Sequence, residues 1–185
     1  MLSSLALVVV IVIDQFKADQ IWRAELTPGG IHKIVDQGIF FDDAHHNQFF
    51  NMTCPGHVSI STGAYPSLHG IMTNDFWDRD LKKSVYCLED PSEKWIDAPE
   101  DSKSDQLGTS AKRIQVTTVA DEMKTLWGND SKAACVSYKD RGSIGLCGHA
   151  ADFALWYAPK TKIWTTSTAY AKSGKLPEWL TTYNR

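Results

Sequence analysis

The chain has 185 residues, of which 43% are hydrophobic, 11% aromatic and 22% charged, so it has the composition of a globular protein with enough apolar material for a core. Its net charge is -3 and no run of Lys and Arg builds a basic stripe, which argues against a nucleic-acid-binding protein. The four cysteines form no C-x-x-C pair, which argues against a zinc ribbon, and their even number permits disulfides without requiring them.

An apolar run, residues 5–13, stands near the start of the chain. It has no basic residues before it and no small-residue cleavage site after it, and it is too short to span a bilayer, so the pattern favours neither a signal peptide nor a membrane span. Its β-branched residues predict a buried parallel strand with Asp14 at the C-terminal tip. Residues 15–24 have helical propensity, residues 31–37 predict a short amphipathic helix, and residues 39–41 suggest a second strand.

A turn over residues 51–55 opens the next predicted helix, because Pro55 can occupy a first-turn position where its missing N–H removes no hydrogen bond. This helix is expected to end at Gly63. The following residues 78–110 are polar, rich in Asp, Lys and Ser, and low in periodicity. They predict an excursion or cap loop over the core.

Regular structure is expected to resume after the excursion. The apolar spacing of residues 116–127 predicts a helix that ends at Gly128. A buried strand, the two strands of a β-hairpin and a closing helix are then predicted over residues 132–137, 153–157, 162–168 and 177–183. Because strands and helices alternate along the chain, the sequence predicts an α/β layered sheet.

Three groups of polar residues are expected to meet at one edge of this sheet. Asp14 and residues 139–141 each follow a predicted strand, and Thr53 lies in a strand-to-helix turn. In α/β sheets, ligands bind outside the carboxyl ends of the strands. The convergence of groups so distant in sequence is hard to explain as packing, and it predicts a ligand site.

Thr53 begins the segment TCPGH at the start of a predicted helix. A Thr in this position is ordinarily an N-cap, but a helix N-terminus also favours anions such as phosphate. Nucleophilic attack would require the hydroxyl to lose its proton, and no His-based relay is evident. A bound metal could instead promote the loss of this proton, since zinc lowers the pKa of ligated water from about 15.7 to about 7.

Other side chains could complete such a site. Asp14 offers a hard carboxylate oxygen to a metal, or it could cap the helix that follows. Lys139 and Arg141 would present two cations on the same side of an extended segment, where Arg can bind two phosphate oxygens and Lys acts as a point charge. The alternative is a solvated charged turn. Asn74 adds an amide donor after a turn, or it is a turn residue only.

Taken together, these segments resemble the alkaline phosphatase superfamily, and in particular its PafA-like branch of single-threonine phosphomonoesterases. The resemblance covers nearly the whole chain. Its motifs are VVIVIDQ (9–15), TCPGH (53–57), TGAYPSLHGIMTN (62–74), YCLED (86–90), SYKDR (137–141) and GHAAD (148–152). The resemblance implies a three-layer α/β sandwich with a mostly parallel central sheet, of which residues 1–185 form the N-terminal part.

The resemblance also implies roles for single residues. Thr53 matches the nucleophile that is transiently phosphorylated, and Asp14 matches a zinc ligand. Asn74, Lys139 and Arg141 match groups that contact the nonbridging phosphate oxygens. The Lys-x-Arg pair is similar to the monoesterase branch, and the related nucleotide pyrophosphatase/phosphodiesterase branch lacks it.

The two-zinc centre of the family needs further Asp and His ligands, which are expected downstream of Arg185. We therefore expect the chain to be a piece of a longer protein, which alone binds zinc poorly and turns over little substrate. Asp42 and His46 have an i,i+4 spacing but precede the nucleophile, and we interpret them as structural. Three further histidines match positions that are not ligands and are expected to fix turns or to orient the residues that bind the metal: His57, His69 and His149.

The expected function is therefore a zinc-dependent phosphate monoester hydrolase that acts on small-molecule phosphate esters through a phosphothreonine. The resemblance implies a periplasmic or secreted protein. Two alternatives stay open, a phosphodiesterase or nucleotide pyrophosphatase of the same superfamily and a noncatalytic phosphate-binding remnant. We expect no nucleic-acid partner and no membrane span, and the sequence leaves the physiological substrate, the cysteine pairing and the oligomeric state open.

Overall fold

The computed structural model describes residues 7–22, 29–97 and 108–185. They fall into two compact units, Met1–Asn47 and Gln48–Arg185, and each is described by itself. In the part of the chain that the structure describes, none of the helices has the length and apolar content needed to cross a membrane.

The first unit contains two short helical elements among its described residues. A 3-10 helix at Ala18–Trp22 replaces part of the helix predicted over residues 15–24, whose last two residues lie outside the described ranges. Helix α1, Gly30–Gln37, confirms the predicted amphipathic helix. It ends at Gly38, whose backbone N–H donates to the carbonyl oxygen of Ile34 at 2.8 Å.

The two strands predicted in the first unit are not formed by its described residues. Residues 7–13 lie in no strand, and Leu7 is 76% exposed; residues 5 and 6 lie outside the described ranges. Residues 39–41 also lie in no strand, and Ile39 is 84% exposed. A buried parallel strand requires partner strands at its edges and cover over its faces. No described residue pairs with either segment. Both strand predictions, which relied on apolar composition, are therefore wrong for the described residues.

The second unit contains five α-helices and five β-strands among its described residues. The helices are α2 Thr53–Thr62, α3 Pro66–His69, α4 Val119–Trp127, α5 Asp140–Cys147 and α6 Glu178–Tyr183. The strands are β1 Asp75–Asp78, β2 Lys83–Tyr86, β3 Ala134–Ser137, β4 Phe153–Ala158 and β5 Ile163–Thr165. Helices α2, α4 and α6, strand β3 and the hairpin of β4 and β5 were all predicted, whereas α3, α5, β1 and β2 were not.

The strands form two sheets. β3 and β4 are parallel, with Ala134 opposite Phe153, and α5 is the crossover between them. β5 runs antiparallel to β4, which confirms the predicted hairpin. β1 and β2 form a second, two-stranded antiparallel sheet. The β3–α5–β4 unit confirms the α/β prediction, within a three-stranded sheet that is mixed rather than purely parallel.

Helix α4 begins at Val119 rather than at residue 116 because a capping box fixes its start. The Thr118 hydroxyl accepts a hydrogen bond from the backbone N–H of Asp121 at 3.3 Å, and the Asp121 carboxylate accepts one from the backbone N–H of Thr118 at 2.9 Å. These two bonds satisfy donors that the first turn of a helix leaves unpaired. The sequence pattern showed the apolar face of the helix but not its cap.

The core of the second unit joins α2, α5 and β4. Val58 of α2, Ile144 of α5 and Trp156 of β4 are fully buried in one cluster. Gly145 lets the two helices approach closely, because a Cβ at that position would lie 3.2 Å from the Cβ of His57. Close packing of this kind leaves little room for a larger side chain.

Part of the predicted excursion, residues 78–110, belongs to this core. Strand β2 falls within it, and Cys87 and Leu88, which follow that strand, are fully buried. Residues 98–107 lie outside the described ranges. The role of the segment as a cap stays a prediction.

Candidate functional site

Thr53 is the first residue of α2 and is half-buried. Met52 stands at the capping position, with no side-chain cap hydrogen bond, so Thr53 is not the N-cap that one interpretation of the sequence allowed. The first turn of an α-helix carries backbone N–H groups that lack intrahelical partners, and the helix dipole places positive potential there. The hydroxyl of Thr53 therefore lies where an anion is favoured.

Asn74 is held between two cysteines that form a disulfide with each other. The backbone N–H of Cys54 donates to the side-chain oxygen of Asn74 at 2.9 Å, and the backbone N–H of Cys87 donates to its carbonyl oxygen at 2.9 Å. The disulfide joins Cys54 to Cys87. Since the oxygen of the Asn74 amide is engaged by Cys54, its NH₂ group, which carries two donors, points away from the bond.

Lys139 and Arg141 lie at the start of helix α5, not on an extended segment as the sequence suggested. Lys139 is the capping residue and is exposed, whereas Arg141 is the second residue of the helix and is half-buried. Small residues at 142, 143 and 145 weaken the local helical signal, and packing against α2 and the sheet forms the helix instead. The prediction of extended backbone is wrong beyond Lys139.

Arg141 is attached to strand β2 through Tyr86. One terminal nitrogen, Nη1, donates to the Tyr86 hydroxyl oxygen at 3.4 Å, and the guanidinium carbon lies 6.0 Å from the centre of the Tyr86 ring. The same hydroxyl donates to Oδ1 of Asp140 at 2.7 Å. Burial raises the pKa of Tyr86, and the neighbouring Asp140 carboxylate raises it further. Burial also raises the pKa of Asp140, although the bonds from Tyr86 and Arg141 act in the opposite direction.

The first turns of α2 and α5 are adjacent. The His57 side chain is buried, and its Nδ1 lies 2.7 Å from the carbonyl oxygen of Thr53. A Cβ added at Gly142 would lie 2.3 Å from the hydroxyl of Ser137 and 3.6 Å from Nε2 of the same histidine. His57 of α2 therefore lies close to the first turn of α5, and the disulfide joins the residue after Thr53 to the residue after Tyr86.

Four of the five predicted site residues belong to the second unit: Thr53, Asn74, Lys139 and Arg141. Among them, Thr53 and Asn74 are connected through Cys54, the residue after Thr53. Asp14 belongs to the first unit, where it lies in a turn that follows residues 7–13. Within the described residues, no three His, Cys, Asp or Glu side chains gather into a group that could hold a metal ion.

Sequence reasoning did not find some of the residues that build the site. It left the cysteine pairing open and assigned no role to Tyr86. The signal was present, since one cysteine follows Thr53 directly in TCPGH and another follows Tyr86 directly in YCLED. His57 was expected to fix a turn or to orient the residues of the site; it lies within α2, where its Nδ1 contacts the carbonyl oxygen of Thr53.

The fold and this arrangement define an α/β protein of the alkaline phosphatase type. The crystal structure of wild-type alkaline phosphatase PafA matches with a TM-score of 0.85 and 34% identity, covering 94% of this chain and 33% of that one. The chain belongs to the type I phosphodiesterase / nucleotide pyrophosphatase family, whose model matches residues 8–183. The resemblance to the alkaline phosphatase superfamily is confirmed.

Two characterised relatives are similar along almost the entire chain. Alkaline phosphatase PafA of Elizabethkingia meningoseptica is 36% identical over 181 residues, and alkaline phosphatase PhoV of Synechococcus elongatus is 37% identical over 180 residues. Each alignment covers 96% of this chain and 32% of the relative. The chain thus spans about a third of the length of these relatives.

Proposed function

We propose that the protein hydrolyses phosphate monoesters through a covalent phosphothreonine at Thr53. The observation that carries this proposal is the position of Thr53 in the first turn of α2, where the next residue, Cys54, donates its backbone N–H to the side-chain oxygen of Asn74. The names of the relatives, alkaline phosphatases PafA and PhoV, support the same class of reaction. The substrates would be small-molecule phosphate esters.

The proposed reaction has two displacements at phosphorus. Thr53 Oγ forms a bond to phosphorus as the ester P–O bond breaks, and the hydroxyl proton ends on the departing alcohol. Water then attacks the phosphothreonine, which releases phosphate and restores the Thr53 hydroxyl. Throughout, Asn74 would donate to one nonbridging oxygen, and Arg141 and Lys139 would offset the negative charge on the others.

The proposal includes two zinc ions. Asp14 and Thr53 are the oxygen donors that this chain would contribute, and no larger metal-ligating group is found among the described residues. A zinc site requires at least three protein ligands, so two donors are not a complete set. We propose that the remaining ligands lie downstream of Arg185. When bound, zinc would lower the pKa of the nucleophilic hydroxyl.

We expect the protein to prefer monoesters over diesters as substrates for an electrostatic reason. The terminal phosphoryl group of a monoester carries more negative charge on its nonbridging oxygens than a diester does, so a Lys and Arg pair stabilises it more. The second candidate is phosphodiester or pyrophosphate hydrolysis, which the name of the matching family favours. The two are separated by the dependence of each activity on Lys139 and Arg141.

The location proposed for the protein is the periplasm or the cell exterior. Two disulfides, Cys54–Cys87 and Cys135–Cys147, are formed within the described residues. Structural disulfides persist in oxidising compartments and are rare in the cytosol. The pairing that the sequence left open therefore supports an exported protein.

The test compares p-nitrophenyl phosphate with bis-p-nitrophenyl phosphate as substrates of the full-length protein, with added zinc. Lys139→Ala and Arg141→Ala should each lower kcat/KM for the monoester, on the order of 100-fold, and should lower that for the diester much less. Thr53→Ala should abolish turnover. The chain of residues 1–185 alone should hydrolyse neither substrate measurably.

Equal losses on both substrates would favour the phosphodiesterase. Full activity of the Thr53→Ala protein would remove the nucleophile from the proposal. Robust turnover by residues 1–185 would show that the downstream metal ligands are not needed.

A further inference from the structure

We infer that Tyr86 is a positioning residue, whose hydroxyl fixes the guanidinium of Arg141 for contact with the phosphoryl group. The inference deepens the proposed function and rests on it for the role of Arg141. The observation behind it is a three-residue chain of hydrogen bonds, in which Arg141 Nη1 donates to the Tyr86 hydroxyl and that hydroxyl donates to Asp140.

Tyr86 is itself held firmly. It is the last residue of β2, paired with Asp75 of β1, and its backbone N–H donates to the carboxylate of Glu89 at 3.3 Å. The next residue, Cys87, is fully buried and bonded through its sulfur to Cys54. The backbone of Tyr86 is thus restrained by a strand pairing, a carboxylate and the disulfide of the next residue, and these contacts restrict where its hydroxyl can lie.

Asp140 determines how the hydroxyl is oriented. Its carboxylate is buried, and Oδ1 accepts a hydrogen bond from the Tyr86 hydroxyl at 2.7 Å. With the proton directed to Asp140, the oxygen of the hydroxyl presents its lone pairs elsewhere, and the Arg141 N–H donates to one of them. The order of donors and acceptors follows from the presence of an acceptor-only carboxylate at one end and a donor-only guanidinium at the other.

Arg141 needs such support because its side chain is long. The charges of Asp140 and Asp75 favour its cationic form but do not fix the orientation of its guanidinium. The rotamer entropy of a free Arg side chain opposes binding unless the side chain is already ordered. Its Nε is buried and has no hydrogen-bond partner among the described residues. The contacts that the structure gives its guanidinium are the Tyr86 hydroxyl and the Tyr86 ring face.

The change that isolates this role is Tyr86→Phe in the full-length protein with zinc. It keeps the ring and removes only the hydroxyl. We expect kcat/KM for p-nitrophenyl phosphate to fall about tenfold, the loss typical of one hydrogen bond to a charged group. Tyr170→Phe is the matched control, because its partly buried hydroxyl donates to the carbonyl oxygen of Gly148. It should change kcat/KM by less than about twofold, since Tyr170 has no contact with Arg141 among those the structure gives.

A double-mutant cycle separates positioning of Arg141 from a general structural effect. If Tyr86 acts through Arg141, then Tyr86→Phe should cause no further loss in an Arg141→Ala background. An unchanged kcat/KM in Tyr86→Phe, or the same tenfold loss in both backgrounds, would overturn the inference. If wild-type protein hydrolyses no monoester, the proposed function fails, and the positioning role is then tested by spectroscopy alone.

The spectroscopic readout is the ¹⁵N–¹H signal of the Arg141 Nε–H, assigned by its absence in Arg141→Ala. In wild-type protein this buried group should exchange slowly with water, and in Tyr86→Phe its exchange should accelerate by about tenfold or more. Tyr170→Phe should leave it unchanged. An identical Arg141 signal in Tyr86→Phe would overturn the inference whatever the activity.

Discussion

The backbone N–H of Cys54 donates to the side-chain oxygen of Asn74, twenty residues further along the chain, at 2.9 Å. Because of this bond, the oxygen and the NH₂ group of the Asn74 side chain differ in their contacts. The oxygen ties Asn74 to the residue that follows the proposed nucleophile, and the NH₂ end supplies the donors that the proposed function directs at a phosphoryl oxygen. The distinction can be tested by a substitution that changes one end only.

Asn74→Asp keeps an oxygen acceptor for the Cys54 N–H and replaces the NH₂ donors with a negatively charged oxygen. In the full-length protein we expect kcat/KM for a phosphate monoester to fall on the order of 100-fold, because a donor is lost and a like charge is added. The melting temperature should change little. Asn129→Asp, an exposed residue between α4 and β3, is the matched control and should leave both quantities unchanged. Near-normal activity in Asn74→Asp would remove Asn74 from the site.

The two disulfides should contribute unequally to stability. Cys54–Cys87 closes a separation of 33 residues and Cys135–Cys147 one of 12. In the chain-entropy description, the longer loop stabilises the folded state by about 3.7 kcal/mol and the shorter by about 2.8 kcal/mol. Urea denaturation of the two double Cys→Ala variants of residues 1–185 measures the difference.

Only the first of these pairs should also affect catalysis. In the full-length protein, Cys54→Ala with Cys87→Ala should lower kcat/KM, because both cysteines hold Asn74 through their backbone N–H groups. Cys135→Ala with Cys147→Ala serves as the control. Equal effects of the two pairs on activity would mean that the disulfide beside Thr53 is merely a global restraint.

The ion pair between the buried Asp121 and the exposed His149 should give the second unit a defined pH dependence. Burial alone would raise the pKa of Asp121, but bonds from His149, Thr118 and Ala150 lower it to about 2. The bond to Asp121 raises the pKa of His149 above 6.5, against the effect of burial. The contribution of Asp121 to the stability of the folded state is therefore fully present above its ordinary pKa of 3.8 and is lost as the pH falls toward 2.

The contribution of His149 to the stability of the folded state has the opposite pH dependence. It is fully present below pH 6.5 and is lost as the pH rises through the higher pKa of the folded state. The pair should thus stabilise the chain most between pH about 4 and 6.5. Asp121→Asn should flatten this profile in urea midpoints measured from pH 3 to 9, whereas the exposed Glu122→Gln on the same helix should not. A flat wild-type profile would show that the pair does not govern stability.

Close approach of α5 to the end of β3 predicts a strong effect of a single methyl group. A Cβ at Gly142 would lie 2.3 Å from the Ser137 hydroxyl, so Gly142→Ala forces a shift and should lower the free energy of unfolding by about 1–3 kcal/mol. Gly56→Ala in α2 meets nothing within 4 Å and should be neutral or stabilising, since Ala favours helix. Urea denaturation of residues 1–185 gives both values, and equal values would contradict the packing described.

Local sequence patterns were sufficient for the elements that carry their own signals. Helices α2 and α4 combine helical spacing with a Pro at the first turn or a Gly after the last, and β4 with β5 has a turn between two apolar runs. The candidate residues Thr53, Asn74, Lys139 and Arg141 came from short motifs in a fixed order, and their catalytic roles stay predictions. Motif chemistry of this kind is readable because it depends on residue type and spacing alone.

The remaining features depended on contacts between residues that are distant in the chain. Residues 7–13 have the composition of a strand but no partner among the described residues. Helix α5 forms despite its glycines because Gly142 lets it approach Ser137 of β3 and Gly145 lets it pack against α2. The pairing of Cys54 with Cys87, and the hydroxyl of Tyr86 between Asp140 and Arg141, follow from the same packing. A residue's propensity is a property of its neighbours in sequence, whereas partner strands, disulfide partners and adjacent helix turns are decided by the tertiary structure, which alone brings those groups within bonding distance.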